Sequence, residues 1–298
     1  MMNYAQEFRK LLTREKTILV PGSYDAFSAK ILKQAGFEAI YMTGSGLTAS
    51  LTGMPDVGIL TMTEMVGQAR AIVNATRIPL ICDADNGYGN PINVIRTVRE
   101  FESARVAGIH MEDQVAPKRC GHFEGKQVIS RIEMVKKIEA AIYARENDDF
   151  LIIARTDARS VHGLEEAIVR AKLYFEAGAD MAFVESPESE KELEIISREL
   201  AGIPLLVNMV EGGKTPILPF ENLSEFGFKI VLYPTCGIRA VAKTLQELAE
   251  YLFVNKDTLG IEDRLVSFEG RNRITGLASV GELEKRFVHL HSADTDET

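Results

Sequence analysis

The strongest constraint on this chain is a repeated alternation between short apolar runs and amphipathic stretches. The runs occupy residues 17–21, 39–43, 79–83, 108–112, 150–155, 180–185, 204–208 and 229–233. Each is nearly continuous in apolar residues, which is the pattern of a strand covered on both faces in a parallel sheet. Helix-period stretches lie between them, among them residues 26–34, 63–75, 93–107 and 164–177. Several close on Ala-Gly just before the next run (Ala35-Gly36, Ala107-Gly108, Ala177-Gly178), a helix stop that exploits the left-handed freedom of glycine.

Strands alternating with helices in eight units over about 250 residues predict a (β/α)8 TIM-type barrel. A doubly wound open sheet is the weaker alternative, because no GxGxxG follows the first run. No Pro-, Gly- or Ser-rich linker divides the chain. Residues 1–298 therefore read as one barrel domain, with 254–298 as a C-terminal helical extension that covers the barrel or a neighbouring subunit.

Charge narrows the partners. The net charge is −9, and no long Lys/Arg run interrupts it, which argues against nucleic acid or an anionic membrane surface. Residues 1–12 carry Glu7, Arg9 and Lys10 and do not form a signal peptide. No apolar run approaches the ~20 residues of a membrane helix. Three scattered cysteines, Cys82, Cys120 and Cys236, form neither a disulfide framework nor a CxxC site, so a cytoplasmic protein with reduced thiols is expected.

In a barrel of this kind the chemistry sits at the carboxyl ends of the strands. Those ends read Tyr41-Met42-Thr43-Gly44-Ser45, Asp83-Ala84-Asp85, Glu112-Asp113-Gln114, Arg155-Thr156-Asp157, Glu185, Asn208 and Tyr233-Pro234. Asp83 and Asp85, with Glu112 one strand on, suit a hard cation that takes one or two carboxylates and keeps its waters. A lone DxD more often caps a loop; the third acid on the adjacent strand favours metal. The loop after the fourth strand holds Lys118-Arg119-Cys120-Gly121-His122 and exceeds the usual βα length, as lids do. An isolated loop cysteine carries no message, but the cluster around Cys120 does. Its cationic neighbours are expected to lower the thiol pKa and fit it for proton transfer.

The run Lys118-Arg119-Cys120-Gly121-His122, preceded by Glu112-Asp113-Gln114, resembles the signature of the isocitrate lyase and phosphoenolpyruvate mutase superfamily. The resemblance extends over residues 17–253, through Asp83-Ala84-Asp85, Ala154-Arg155-Thr156-Asp157 and the segment 208–216. Within it the chain is most similar to lyases for 2,3-dimethylmalate and 2-methylisocitrate. It implies a barrel whose last helix is exchanged between subunits of a homotetramer. It implies a catalytic role for Cys120, with Lys118 and His122 beside it and Tyr41 near the substrate hydroxyl. Substrate contacts fall to Thr43, Gly44, Ser45, Gly121, Arg155, Glu185, Asn208 and Arg239. Asp83, Asp85 and Glu112 fall at the magnesium, with manganese as the alternative ion.

The implied reaction is retro-aldol cleavage of a small anionic 2-hydroxy di- or tricarboxylate, with Cys120 protonating the nascent carbanion. Two departures select a substrate. Methylisocitrate lyases carry an arginine that aligns near Ser267-Phe268 here, and the Gly212-Gly213-Lys214 run is more like the dimethylmalate and oxaloacetate-hydrolase branches than the methylisocitrate one. Pro234 stands where oxaloacetate hydrolases carry a hydroxyl, which a proline cannot offer. A 2-alkylmalate such as 2,3-dimethylmalate is therefore expected, ahead of methylisocitrate. Phosphonomutase activity ranks third, and a non-catalytic binding barrel is the alternative from another class.

Overall fold

The structure is a computed structural model that describes residues 2–288. Its eight strands are β1 (Ile18–Ser23), β2 (Ile40–Met42), β3 (Leu80–Asp83), β4 (Gly108–Glu112), β5 (Leu151–Thr156), β6 (Met181–Val184), β7 (Leu205–Asn208) and β8 (Ile230–Tyr233). All neighbours are parallel, and β1 closes on β8 with Ile18 opposite Ile230, so the sheet is a barrel without edges. The expected TIM-type fold is the observed one.

Helix boundaries follow local chemistry. Asp25 and Ser28 form a reciprocal capping box at the start of Ala26–Gln34, as Thr61 and Glu64 do for Met62–Thr76. The third stretch departs from expectation: the helix runs Pro91–Ser103, beginning at a proline in its first turn and ending before Arg105, whose φ of 65° is left-handed. Val106 and Ala107 are then already buried on the approach to β4.

Packing follows the period-two alternation of the strands. Odd-numbered residues of β2, β3, β5 and β6 and even-numbered ones of β7 and β8 turn inward, where Tyr41, Ile81, Ile153, Phe183, Leu206 and Leu232 fill the barrel. Phe8 and Leu11 of the helix Tyr4–Leu12 join that cluster and plug its amino end. The alternate residues, such as Met42, Ile109 and Val207, pack outward against the helices. Full burial of each such side chain contributes about 1.5–3 kcal/mol. The inward rows turn polar at the carboxyl end, and that change positions the site.

The chain forms two compact units, one through Val241 and one from Ala242 onward. A single helix, Cys236–Asn255, contains the boundary between them. The second unit is helical, with Phe268–Thr275 and Leu277–Phe287 separated by Gly276 at a φ of 86°. Among the described residues no helix is long and apolar enough to cross a membrane.

Candidate active site

The inward rows deliver Tyr41, Asp83, His110, Glu112, Arg155, Glu185 and Asn208 to the carboxyl-end mouth, all but the half-buried Asn208 withdrawn from solvent. Tyr41 hydroxyl and His110 Nε2 are 2.7 Å apart, and the rings stack. Burial holds His110 down to about 4, so its ring is neutral; burial also pushes the Tyr41 phenol well up, helped by Asp83.

The three acids expected at a metal are linked through the backbone, the Glu112 amide donating to the Asp85 carbonyl at 2.9 Å. Asp83 Oδ1 accepts the Asp85 amide at 2.9 Å, and Asp85 is held at a φ of 46°, a left-handed backbone uncommon outside glycine and asparagine. Burial pushes the Asp85 carboxyl up to about 7; Lys118 opposes that rise, while Asp83 and Asp56 add to it. Burial would raise Asp83 too, but His110 and Lys118 outweigh it and hold it low. Both Glu112 carboxylate oxygens are buried without a hydrogen-bond partner, Arg155 Nη1 standing 3.3 Å from Oε2 out of bonding alignment. Burial keeps that carboxyl well above the usual range. Gly44 leaves the space beside Asp83 open: a Cβ on it would come within 2.5 Å of Oδ2. Among the described residues no group of three His, Cys, Asp or Glu side chains is placed to hold a metal ion by itself. Orphaned carboxylate oxygens around a protected gap nonetheless fit a cation that retains part of its water shell.

Thr43 caps the helix Gly44–Thr52 by accepting the Gly46 amide, and Gly44 and Ser45 form its first turn. Such a turn leaves N–H groups free of intrahelical partners, which favours an anion. Arg155 is nearby in charge terms but not free. Asp157 grips it in a bidentate pair at 3.0 and 3.1 Å, and Glu185 Oε2 lies 3.6 Å away. Asn208 Nδ2 donates to Glu185 Oε2 at 3.3 Å, leaving the Asn208 Oδ1 unpartnered. Burial alone would raise Glu185, but Arg155 and His122 hold it below the usual range.

The Cys120 loop is folded down on this mouth. Gln114 grips Arg119 on both sides, Nε2 donating to its carbonyl and Oε1 accepting its amide. The Cys120 amide donates to the Asp56 carbonyl at 3.1 Å. Gly121 lies so close to Arg155 and Glu185 that a Cβ would stand 2.6 Å from each. His122 Nδ1 accepts the Lys214 amide at 3.2 Å, and its Nε2 faces Glu185 at 3.5 Å, so the Gly212-Gly213-Lys214 run serves as a rest for the loop.

One expectation is corrected. Burial raises the Cys120 thiol to about 11 rather than lowering it. The adjacent cations are spent elsewhere: Lys118 is buried between Asp56 at 2.6 Å and Asp85 at 2.8 Å, and Arg119 is exposed. A thiol held in its protonated form suits a donor. Arg239 also stays outside the cluster, half-exposed and paired with Glu211. Sequence reasoning missed Asp56, His110, Lys126 and Ser186, and placed Asp157 on the rim without a role. His110 sits two residues from Glu112, so the inward alternation would have found it.

The chain is similar to known proteins in sequence and fold. Residues 8–253 match the phosphoenolpyruvate phosphomutase family model. The 2,3-dimethylmalate lyase of Eubacterium barkeri is 48% identical over 96% of this chain and 99% of its own. A 2-methylisocitrate lyase of Halalkalibacterium halodurans is 42% identical over 87% of this chain and 85% of its own. Among solved structures, an oxaloacetate acetylhydrolase bound to 3,3-difluorooxalacetate has a TM-score of 0.92 at 35% identity, covering 97% of this chain and 98% of its own. A 2,3-dimethylmalate lyase superposes with a TM-score of 0.91 at 36% identity, covering 100% and 99%. A phosphonopyruvate hydrolase with oxalate and magnesium reaches 0.88 at 29%, covering 97% and 100%.

Proposed function

Given that this chain belongs to the phosphoenolpyruvate phosphomutase family within the isocitrate lyase superfamily, we propose that it is a magnesium-dependent carbon–carbon lyase releasing pyruvate from a 2-alkylmalate such as 2,3-dimethylmalate. The observation that carries this reading is the Cys120 loop seated on the barrel mouth with its thiol protonated, against the arginine that would take a substrate carboxylate. Asp83, Asp85 and Glu112 would hold the ion, with manganese able to substitute. When bound, magnesium supplies Lewis acidity to the oxygen that becomes a carbonyl.

The protein's own groups do the rest. Arg155 and the first turn at Gly44-Ser45 take the carboxylates by charge-assisted hydrogen bonds. Tyr41, paired with the neutral ring of His110, stands by the substrate hydroxyl, whose proton passes through the phenol to that ring and on to solvent, from which the cysteine thiolate later recovers one. As the carbon–carbon bond breaks, the electron pair stays on the carbon next to a carboxylate, and the Cys120 S–H proton passes to it. The thiolate left behind is reprotonated before the next turnover. The closed loop keeps water from the carbanion site.

Substrate choice rests on Pro234 and on the Eubacterium barkeri relative. Pro234 offers no hydroxyl to a hydrated ketone, which disfavours oxaloacetate hydrolysis. 2-Methylisocitrate lyase is the second reading, favoured by Arg271 and Arg273, which stand within a few residues of the family's C-terminal arginine position. Exposed Phe253, Phe268 and Phe287 support a homotetramer with an exchanged last helix, since isolated chains seldom display such apolar surface. Three unbridged cysteines suit the cytoplasm. The test is 2-oxo acid release, measured with a coupled dehydrogenase, from dimethylmalate, methylisocitrate, isocitrate, citramalate, oxaloacetate and phosphonopyruvate. Pyruvate from methylisocitrate alone would move the chain to the second reading; no release from any hydroxy acid would end the lyase proposal.

A further inference from the structure

Lys126 lies beyond the cysteine run, yet its ammonium reaches back into the site. The side chain is 2% exposed, and Nζ donates to the Gly121 carbonyl and, at 2.9 Å, to Asp157 Oδ1. Asp157 in turn holds Arg155 in its bidentate pair. Ser186, at the end of the neighbouring strand on a backbone with a φ of 57°, has its hydroxyl 3.1 Å from the same Gly121 carbonyl and 2.9 Å from Glu185 Oε1, so its one proton is shared between them. One carbonyl next to Cys120 thus faces an ammonium from farther along the same loop, itself anchored on Asp157, and a hydroxyl from the rim of the barrel.

The geometry points to Lys126 as a positioning residue: a buried latch that ties the carbonyl of Gly121 to Asp157 and so fixes the Cys120 loop in register with Arg155. The alternative is a lysine that merely neutralises Asp157. Two observations argue against that. Asp157 already has the Arg155 guanidinium and accepts from it twice, so its charge is answered without Lys126. The Gly121 carbonyl lies in a βα loop longer than usual, with no strand or helix partner of its own, where an ammonium bond is worth most. The charge sits on the lysine because a neutral donor of that reach would hold the loop more weakly.

This inference rests on the lyase reading for its consequence but not for its test. Alkylation of Cys120 by a thiol reagent, followed by peptide mass analysis, needs no substrate. Half-buried Cys236 serves as reference and fully buried Cys82 reports global unfolding. With Lys126→Met, Cys120 should be alkylated about tenfold faster or more relative to Cys236, the equilibrium worth of one charge-assisted hydrogen bond. Lys126→Arg should restore most of the protection, and Ser186→Ala should give a smaller acceleration. With an active substrate in hand, kcat should fall further than KM rises. Unchanged Cys120 protection in Lys126→Met overturns the latch. Should Lys126→Met expose Cys82, Ser186→Ala decides in its place: faster Cys120 labelling supports the latch, and unchanged labelling overturns it. Latch behaviour without any lyase activity would sink the substrate reading alone.

Discussion

Gly121 passes over Arg155 with no room for a side chain, since a Cβ there would stand 2.6 Å from the guanidinium Nη2 and equally close to Glu185 Cγ. Closure of the cysteine loop and the pose of the carboxylate-binding arginine are therefore one geometric event. Neither neighbour can retreat cheaply: Arg155 is clamped by Asp157, and Glu185 by Ser186 and Asn208. Gly121→Ala should hold the loop off the mouth. An ångström of misplacement at a reacting centre costs about 10²-fold, so kcat/KM for 2-oxo acid release should fall by about that factor while the fold persists. Unchanged kinetics would mean that the loop does not close this way during turnover.

Cys120 should be indispensable for cleavage and unimportant for folding. Replacing it by Ser or Ala removes a general acid, a loss of about 10²–10⁴-fold. The side chain is half-buried on a loop, so the melting temperature should move little. The decisive comparison is steady-state cleavage beside thermal unfolding of the same samples. Full cleavage by the alanine variant on every hydroxy acid tried would remove the cysteine from the mechanism.

The thiol's environment fixes the shape of the pH profile. A donor must carry its proton, and burial raises this one to about 11. Activity limited by Cys120 should therefore not decline between roughly pH 7.5 and 9, where an unperturbed thiol near 8.5 would already be losing its proton. Thiolate absorbance near 240 nm, compared between wild type and Cys120→Ser, isolates the group. Appearance of its thiolate near neutrality would contradict the raised value.

Much of this was legible before any coordinates, and the reasons are physical. Continuous apolar runs too short for helices, with a glycine or polar residue at or shortly before the start of each, fit strands covered on both faces, and they located all eight. Charges at their carboxyl ends marked the mouth, because a barrel interior that is apolar below has no reason to turn ionic above except to meet a ligand. What was not legible depends on contacts distant in the chain. The pairing of Lys118 with Asp56 spans 62 residues, and without it the cations beside Cys120 read as free to lower its pKa. Arg170 and Tyr174 reach Asp113 across 57 and 61 residues, so that acid looked like a candidate rim group rather than a fully bonded support.

Cation binding should be linked to protons through Asp85. Burial raises this carboxyl to about 7, so near neutrality a large fraction must lose its proton before it can meet a cation. Magnesium affinity should therefore increase as pH rises from roughly 6 to 8, with protons released on binding. In the chelated protein the sign reverses for stability: a raised acid pKa means the folded state binds more protons than the unfolded one, so this group lowers stability as pH rises from about 4 through 7. Asp85→Asn should weaken binding and flatten both trends. Calorimetry in buffers of differing ionisation enthalpy reads the proton count. A pH-independent affinity with no proton release would refute the linkage.

The support beneath the site yields the clearest stability prediction. Asp113 Oδ2 accepts from Thr156 Oγ1 at 2.7 Å, Arg170 Nη1 at 2.9 Å and Tyr174 hydroxyl at 2.9 Å, while Oδ1 accepts the Asp157 amide at 2.9 Å. All four donors are buried, so truncation strands the Thr156 and Tyr174 hydroxyls and the Asp157 amide without water to take the carboxylate's place, while Arg170 keeps Glu166 and the Ile129 carbonyl. Asp113→Ala should destabilise the protein by about 3–5 kcal/mol, the usual penalty for removing one member of a buried ion pair. The Asp157 amide is among the stranded groups, and Asp157 anchors both Arg155 and Lys126, so cleavage should suffer beyond what the residual folded fraction explains. Denaturant unfolding gives the first quantity, and kcat under conditions where the variant is fully folded gives the second. A loss below about 1 kcal/mol, the range of an exposed pair, would show that water reaches this network after all.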